Sequence, residues 1–195
     1  MTTVLALSGS PSGTSRTVAA ARAALDLLAE RGYDVRHVAA RELPAAHLLA
    51  GDVSHPAIHR VLTDLAAADG VVVATPIYKA AYTGVLKALL DLLPQTGLAG
   101  KAVLPLATGG TLAHLLAVDY ALRPVLSALG ARHVVQGAFL LDSAFVSGYA
   151  EPGRPPTYYT LAPDAELRLS EAVEYFIDAL PAPCRDDDAA VLYRP

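Results

Sequence analysis

The spacing of apolar and polar positions along the chain gives a repeating strand–helix order. Thr3-Val4-Leu5-Ala6-Leu7 is a short apolar run of the kind buried in a sheet, and Val18, Ala21, Leu25 and Leu28 then recur at helical spacing. Tyr33-Asp34-Val35-Arg36-His37-Val38-Ala39 alternates apolar with polar residues, which predicts a second strand with one less buried face, near a sheet edge. Residues 41–53 read as a loop, broken by Leu43-Pro44 and Gly51-Asp52. Ser54 and Pro56 then open a helix striped by Ile58, Val61, Leu62 and Leu65. Gly70 leads into Val71-Val72-Val73-Ala74, a continuous apolar run that predicts a strand buried on both faces and ending at Thr75-Pro76-Ile77-Tyr78-Lys79.

A helix with Leu86, Leu89, Leu90 and Leu93 inward follows, and residues 101–107 form a fourth strand that ends in Thr108-Gly109-Gly110-Thr111. Pro105 is a misfit there, because a central strand needs that residue's N–H, so a bulge or irregular ladder is expected. The next helix spans roughly 112–129, with Leu115, Val118, Leu122, Val125 and Leu129 as its stripe, and a fifth strand lies within 133–141. Residues 142–163 are a long connection rich in Pro, Gly and Tyr, suited to a functional loop. A last helix covers about 164–180. Strands alternating with helices imply an α/β fold, a flavodoxin-like three-layer sandwich with a five-stranded parallel sheet in the order 2-1-3-4-5. One domain over residues 1–180 and a loosely attached tail over 181–195 complete the expected organisation.

Composition narrows the class of function. The chain has 195 residues, of which 53% are hydrophobic and 17% charged, enough for one sizeable core and unlike a disordered chain. A net charge of -4 without long runs of one sign argues against a nucleic-acid surface or a basic membrane patch. The apolar start lacks a basic leader, so no signal peptide is expected, and no apolar stretch is long enough to span a bilayer. The single cysteine, Cys184, precludes an internal disulfide, fits a reducing cytoplasm and reads as a dispensable tail thiol.

The candidate chemistry lies where strands run into helices. Ser8-Gly9-Ser10-Pro11-Ser12-Gly13-Thr14-Ser15-Arg16-Thr17 joins the first strand to the first helix. Backbone N–H groups, hydroxyls, the positive end of a helix and Arg16 meet there, which suits an anion. Neither G-x-G-x-x-G nor a Gly-Lys-Ser/Thr ending is present, so a hydroxyl-based loop for a terminal phosphomonoester such as that of FMN fits better. The same turn also reads as an ordinary helix start with Ser15 as N-cap. Thr75-Pro76-Ile77-Tyr78 is a short stiff turn able to lay a backbone edge along a flat heterocycle. Gly109 and Gly110 let N–H groups approach ring carbonyls, with Thr108 and Thr111 adding hydroxyls. All three loops leave carboxyl ends of strands, where ligands of such sheets sit.

Two longer runs carry a family resemblance. Ala74-Thr75-Pro76-Ile77-Tyr78-Lys79-Ala80-Ala81-Tyr82-Thr83-Gly84-Val85-Leu86-Lys87 resembles the NADPH-dependent FMN reductases, as does Leu104-Pro105-Leu106-Ala107-Thr108-Gly109-Gly110-Thr111 with the following residues to Leu122. The likeness covers residues 3 to about 141 and is greatest to the FMN reductase component of two-component alkanesulfonate monooxygenase systems. It implies that NADPH passes a hydride to FMN and that reduced FMN leaves for a separate monooxygenase. It further implies that Ser8, Ser10, Ser15, Arg16 and Thr17 hold the phosphate and ribityl chain, and that Pro76, Ile77, Tyr78, Thr108, Gly109, Gly110 and Thr111 frame the isoalloxazine. A homodimer or homotetramer in the cytoplasm is the implied assembly. Hydride transfer between stacked rings needs no side-chain acid or base, so no catalytic residue is named.

Pro124 lacks an N–H, so the carbonyl of Tyr120 loses its helical partner, and a π-bulge would relieve the conflict. Members resembling this chain carry a Tyr here on a π-helix at a subunit interface, which places Tyr120 at an interface close to the flavin; a core tyrosine beside a kink is the plainer alternative. Lys79 and Lys87 can meet NADPH phosphates or simply be solvated, and His114 can line the pocket or cap its turn. His55 and His59 lack the companion carboxylate of a metal motif, so no metal is expected. Two other functions use the same features: an enzyme that keeps FMN bound and reduces quinones or azo dyes, and a flavodoxin-type electron carrier, for which a charge of -4 is weak support.

Overall fold

The computed structural model describes residues 1–150 and 155–182, so Cys184 and the expected tail beyond residue 182 lie outside the described residues. Strand β1 (Thr3–Ser8) is followed by α1 (Arg16–Glu30), β2 (Asp34–Ala39), α2 (Ala45–Ala50), α3 (Pro56–Ala67), β3 (Gly70–Tyr78), β4 (Ala81–Tyr82) and α4 (Gly84–Leu90). Then come β5 (Ala102–Gly109), a π-helix (Val118–Leu122), α5 (Arg123–Ala128), β6 (His133–Val134), β7 (Ala138–Leu141), β8 (Phe145–Gly148), β9 (Tyr158–Leu161) and α6 (Pro163–Asp178). Successive strand side chains point to opposite faces, and both faces are covered. Val4, Ala6 and Val72 pack with Ala24 and Leu28 of α1 and with Val173 and Phe176 of α6. Leu5, Leu7 and Val71 pack with Ile58 and Leu65 of α3 and with Leu86 and Leu89 of α4.

The main sheet runs β2-β1-β3-β5, with β6 and β7 both parallel to β5 at the far edge. This is the expected order 2-1-3-4-5, with two departures. β4 is a two-residue hairpin arm lying antiparallel on β3. The fifth strand is broken into two pieces, and Pro105 accounts for the break. Val103 pairs with Val134 and Leu106 with Ala138, so the edge strand holds one residue more than β5 over the same interval. Val135 donates its N–H to the Val103 carbonyl at 3.0 Å, so the polar main-chain groups of residues 103 and 105 point to this edge. Pro105 has no N–H to offer there, and the neighbouring strand leaves the ladder. β5 itself keeps an unbroken register with β3 through Val73 and Pro105. The expected irregularity is real, but it falls on the partner strand. Gly137 sits in the break because a Cβ there would lie 2.0 Å from the Pro105 carbonyl oxygen.

Other expectations are corrected. β3 does not stop at Ala74 but continues to Tyr78, then turns through Lys79 (φ 52°) and Ala80 (φ 63°) to pair with β4. Two left-handed residues in a two-residue loop match the right-handed twist of the strands they join. Residues 41–53 are not wholly a loop, because Leu48 buries against the α3–α4 side and supports the short α2. His55, not Ser54, caps α3, with its Nδ1 accepting from the Ala57 N–H at 3.2 Å, while Ser54 bonds to Asp52. The helix expected over 112–129 has three parts: a 3-10 turn at Leu112–His114, the π-helix and α5. The Arg123 N–H reaches the Val118 carbonyl five residues back, the extra residue that Pro124 demands. The long connection from residue 142 contains the antiparallel β8–β9 hairpin.

Candidate functional site

The loop after β1 is fixed by its neighbours. The Gly9 N–H donates to the Ala74 carbonyl at 2.8 Å, and the Thr83 hydroxyl donates to the Gly9 carbonyl. A Cβ at residue 9 would meet the Leu86 Cβ at 2.3 Å, so only glycine lets the loop lie this close to α4. Ser10, buried, accepts from the Ser12 N–H at 3.3 Å. Ser15 caps α1, its Oγ accepting from the Val18 N–H at 3.2 Å. A hydroxyl that accepts keeps its own proton to donate, so capping and ligand binding at Ser15 are compatible. The first turn of α1 contains no acidic residue, so the positive end of this helix is not offset from within. Thr17 and Thr108 share a hydrogen bond of 2.6 Å between buried hydroxyls, which ties α1 to β5 and leaves one hydroxyl proton unused.

The three loops meet around a cavity of about 360 Å³. Ser10, Ser15, Arg16 and Thr17 line it from the loop after β1 and the first turn of α1, with Ser12 and Thr14 beside them. Pro76, Ile77, Tyr78, Thr108, Gly109 and Gly110 line it from the carboxyl ends of β3 and β5, with Pro76 opposite Thr108 in the sheet register. Ser8 and Thr111 do not line it. Ser8 is fully buried, with its Oγ 2.9 Å from His37 Nε2, and burial first, then the charge of Arg22, hold His37 below its ordinary pKa against the opposing pull of Glu42. Thr111 caps the 3-10 turn by accepting from the Ala113 N–H at 3.3 Å. Tyr120 is 80% exposed on the π-helix, whose Val118 shares a small cluster with Ile77 of the cavity wall.

Two residues that the sequence reading did not single out complete the wall, Asp142 and Tyr159. Gly109 pairs with Leu141, so Asp142 leaves the fifth strand at the same end of the sheet as the three loops. That fourth carboxyl end was the available signal. The Arg16 guanidinium lies 4.5 Å over the Tyr159 ring, which Phe145 of β8 meets edge-on. Arg16 Nη1 is 4.0 Å from Asp142 Oδ2, and Arg16 Nε is buried without an acceptor. A buried donor left unpaired costs about 1–3 kcal/mol. The donor set of hydroxyls, helix N–H groups and one arginine therefore fits a phosphomonoester. A second cavity of about 340 Å³ shares Thr14, Ser15 and Tyr159 but none of Pro76, Ile77, Tyr78, Thr108, Gly109 and Gly110. Among the described residues no group of three or more His, Cys, Asp or Glu is placed to hold a metal ion, and no helix is long and apolar enough to cross a membrane.

Known proteins resemble this chain in sequence and in fold. The family model of NADPH-dependent FMN reductases matches residues 2–146. An FMN reductase (NADPH) of Escherichia coli (strain K12) is 45% identical over 91% of this chain and 89% of its own length. The crystal structure of an NADH:FMN oxidoreductase in its apo form superposes with a TM-score of 0.81 at 43% identity, covering 93% of this chain and 91% of that one. A flavodoxin from Streptococcus pneumoniae, at 17% identity and a TM-score of 0.56 over 92% of this chain and 100% of its own, shares the fold. Together with the cavity built by the loops of β1, β3 and β5, these matches establish that the chain belongs to the NADPH-dependent FMN reductase family.

Proposed function

We propose that FMN occupies the cavity with its phosphate at the Ser10–Thr17 end and its isoalloxazine between Pro76-Ile77-Tyr78 and Thr108-Gly109-Gly110, and that reduced FMN then leaves for a partner flavin-dependent monooxygenase of the alkanesulfonate type. The observation that carries the reading is Arg16, with a buried Nε that lacks an acceptor at the end where hydroxyls and the α1 terminus meet. Bound FMN supplies the acceptor for the hydride of NADPH. Arg16, Ser10, Ser15 and Thr17 offset the phosphate charge, and N–H groups at Gly109 and Gly110 favour negative charge near the pyrimidine edge. No side chain is needed as acid or base, because orientation of the two rings does the work. Ser8 and Thr111 act behind this layer, Ser8 through His37 and Thr111 through its turn.

The same reading makes the protein a cytoplasmic homodimer or homotetramer joined through the π-helix face. Leu112, Leu116 and Tyr120 are 60%, 57% and 80% exposed, an apolar surface that a second copy would cover. The test of the activity is NADPH oxidation by flavin-free protein with and without micromolar FMN. Oxidation should require added FMN and saturate with it. Turnover by a permanently bound flavin that needs a quinone or azo acceptor would replace this reading with the second class of enzyme.

A further inference from the structure

A carboxylate stands in the wall of the cavity beside Arg16, and the placement of FMN alone gives it no role. Asp142 Oδ2 lies 4.0 Å from Arg16 Nη1 and 3.7 Å from where a Gly110 Cβ would be, so it adjoins both the arginine and the turn after β5. At 4.0 Å it makes no hydrogen bond to Arg16, and among the described residues its carboxylate accepts none from any other group. Arg16 is instead oriented by the face of Tyr159. Asp142 is therefore not a structural clamp on the arginine. What it adds is negative charge next to Arg16, the one cation among the described residues that line the cavity.

We infer that Asp142 sets the flavin affinity of this site: its charge competes with the flavin phosphate for Arg16 and keeps FMN, before and after reduction, weakly held. The inference rests on the placement of FMN proposed above. A phosphomonoester carries close to two negative charges at neutral pH, and so does its reduced form, while hydride transfer adds further negative charge to the ring system. A fixed carboxylate that adjoins both the arginine and the turn after β5 raises the free energy of each bound state. An enzyme that hands its product to another protein needs that product to dissociate, and a like charge in the pocket provides this without any moving part.

The experiment is titration of flavin-free wild type and Asp142→Asn with FMN and, separately, with riboflavin, read by quenching of flavin fluorescence. Asparagine keeps the shape and removes the charge. FMN should bind roughly fivefold tighter to the variant, and riboflavin, which lacks the phosphate, should change less than twofold. The FMN gain should shrink in about 1 M salt, where the Debye length is about 3 Å. Asp142→Glu, which keeps the charge, should stay within about twofold of wild type for both flavins. Unchanged or weaker FMN binding by Asp142→Asn, or equal tightening of riboflavin, overturns the inference. Failure of both wild type and Asp142→Asn to bind FMN better than riboflavin would instead overturn the placement of the phosphate. Should Asp142→Asn not fold, the Asp142→Glu titration and the salt dependence of wild type decide: FMN affinity that falls as steeply with salt as for a lone arginine site, with no offset from Asp142, counts against it.

Discussion

Arg16 is held by an aromatic face rather than by hydrogen bonds, and this makes Tyr159 separable from the charge it supports. Tyr159→Leu should keep an apolar wall but lose the stack, worth about 0.5–1 kcal/mol at a partly exposed site. Steady-state kinetics should then show KM for FMN rising about threefold with kcat at saturating FMN little changed, because phosphate binding is uniform between ground and transition states. A fall in kcat with unchanged KM would place Tyr159 at the ring instead. Ser8 shows a different consequence of local geometry. It looked like a phosphate ligand in the sequence because it begins the hydroxyl-rich loop, yet strand register turns its Oγ to His37. Burial holds the His37 pKa below its ordinary value, with Arg22 adding to the effect. The unfolded chain therefore binds a proton that the native protein resists. Stability is unaffected above about pH 6.5 and falls as pH drops below it. In His37→Gln, which still offers Ser8 a polar partner but cannot titrate, Tm should fall less between about pH 6.5 and pH 5 than in wild type. Parallel Tm-versus-pH curves would show that the Ser8–His37 contact carries none of the acid sensitivity.

The elements show why some local structure was legible and some was not. Pro124 and Pro105 each remove a specific hydrogen bond, so each announces a disturbance in the sequence: the π-helix at Val118–Leu122 and the broken edge opposite β5. The sequence could not say which partner would yield at Pro105, because that depends on which way residue 105 points in the sheet. Gly137 now gives that answer a test. Gly137→Ala would force a Cβ to 2.0 Å from the Pro105 carbonyl oxygen, where backbone rather than a flexible side chain must move. A loss of about 2–3 kcal/mol by chemical denaturation is expected; a change below about 0.5 kcal/mol would mean that the break relaxes freely. The β8–β9 hairpin was invisible for a different reason. Its strands are four residues each, partly exposed and separated by a Pro- and Gly-rich stretch, so neither periodicity nor burial marks them. Tyr159 reached the site on an element that composition describes only as a long connection.

At the scale of the molecule, the order of the sheet was readable because runs such as Val71–Ala74 can only be central, while Tyr33–Ala39 can only be near an edge. That order brings the ends of β1, β3 and β5 side by side, which is why residues from three distant segments line one cavity. Assembly, by contrast, depends on surfaces that a pattern of buried positions does not describe. The stripe that predicted one helix over 112–129 put Leu115 inward, yet the 3-10 turn and π-helix leave Leu112, Leu115, Leu116 and Tyr120 between 48% and 80% exposed. Scattered apolar residues on a surface mean little, but these four lie on adjoining turns beside β4, next to the Ile77 side of the cavity. Placing a charge in the middle of such a face costs little in a free monomer and much when a second copy covers it. Leu116→Glu should therefore keep its far-UV spectrum and, within about 0.5 kcal/mol, its stability in dilute solution. Light scattering should give the mass of a dimer or tetramer for wild type and of a monomer for the variant. A wild-type protein that runs as a monomer at every concentration would leave the exposed face without a second copy to cover it, and the proposed assembly would fall with it.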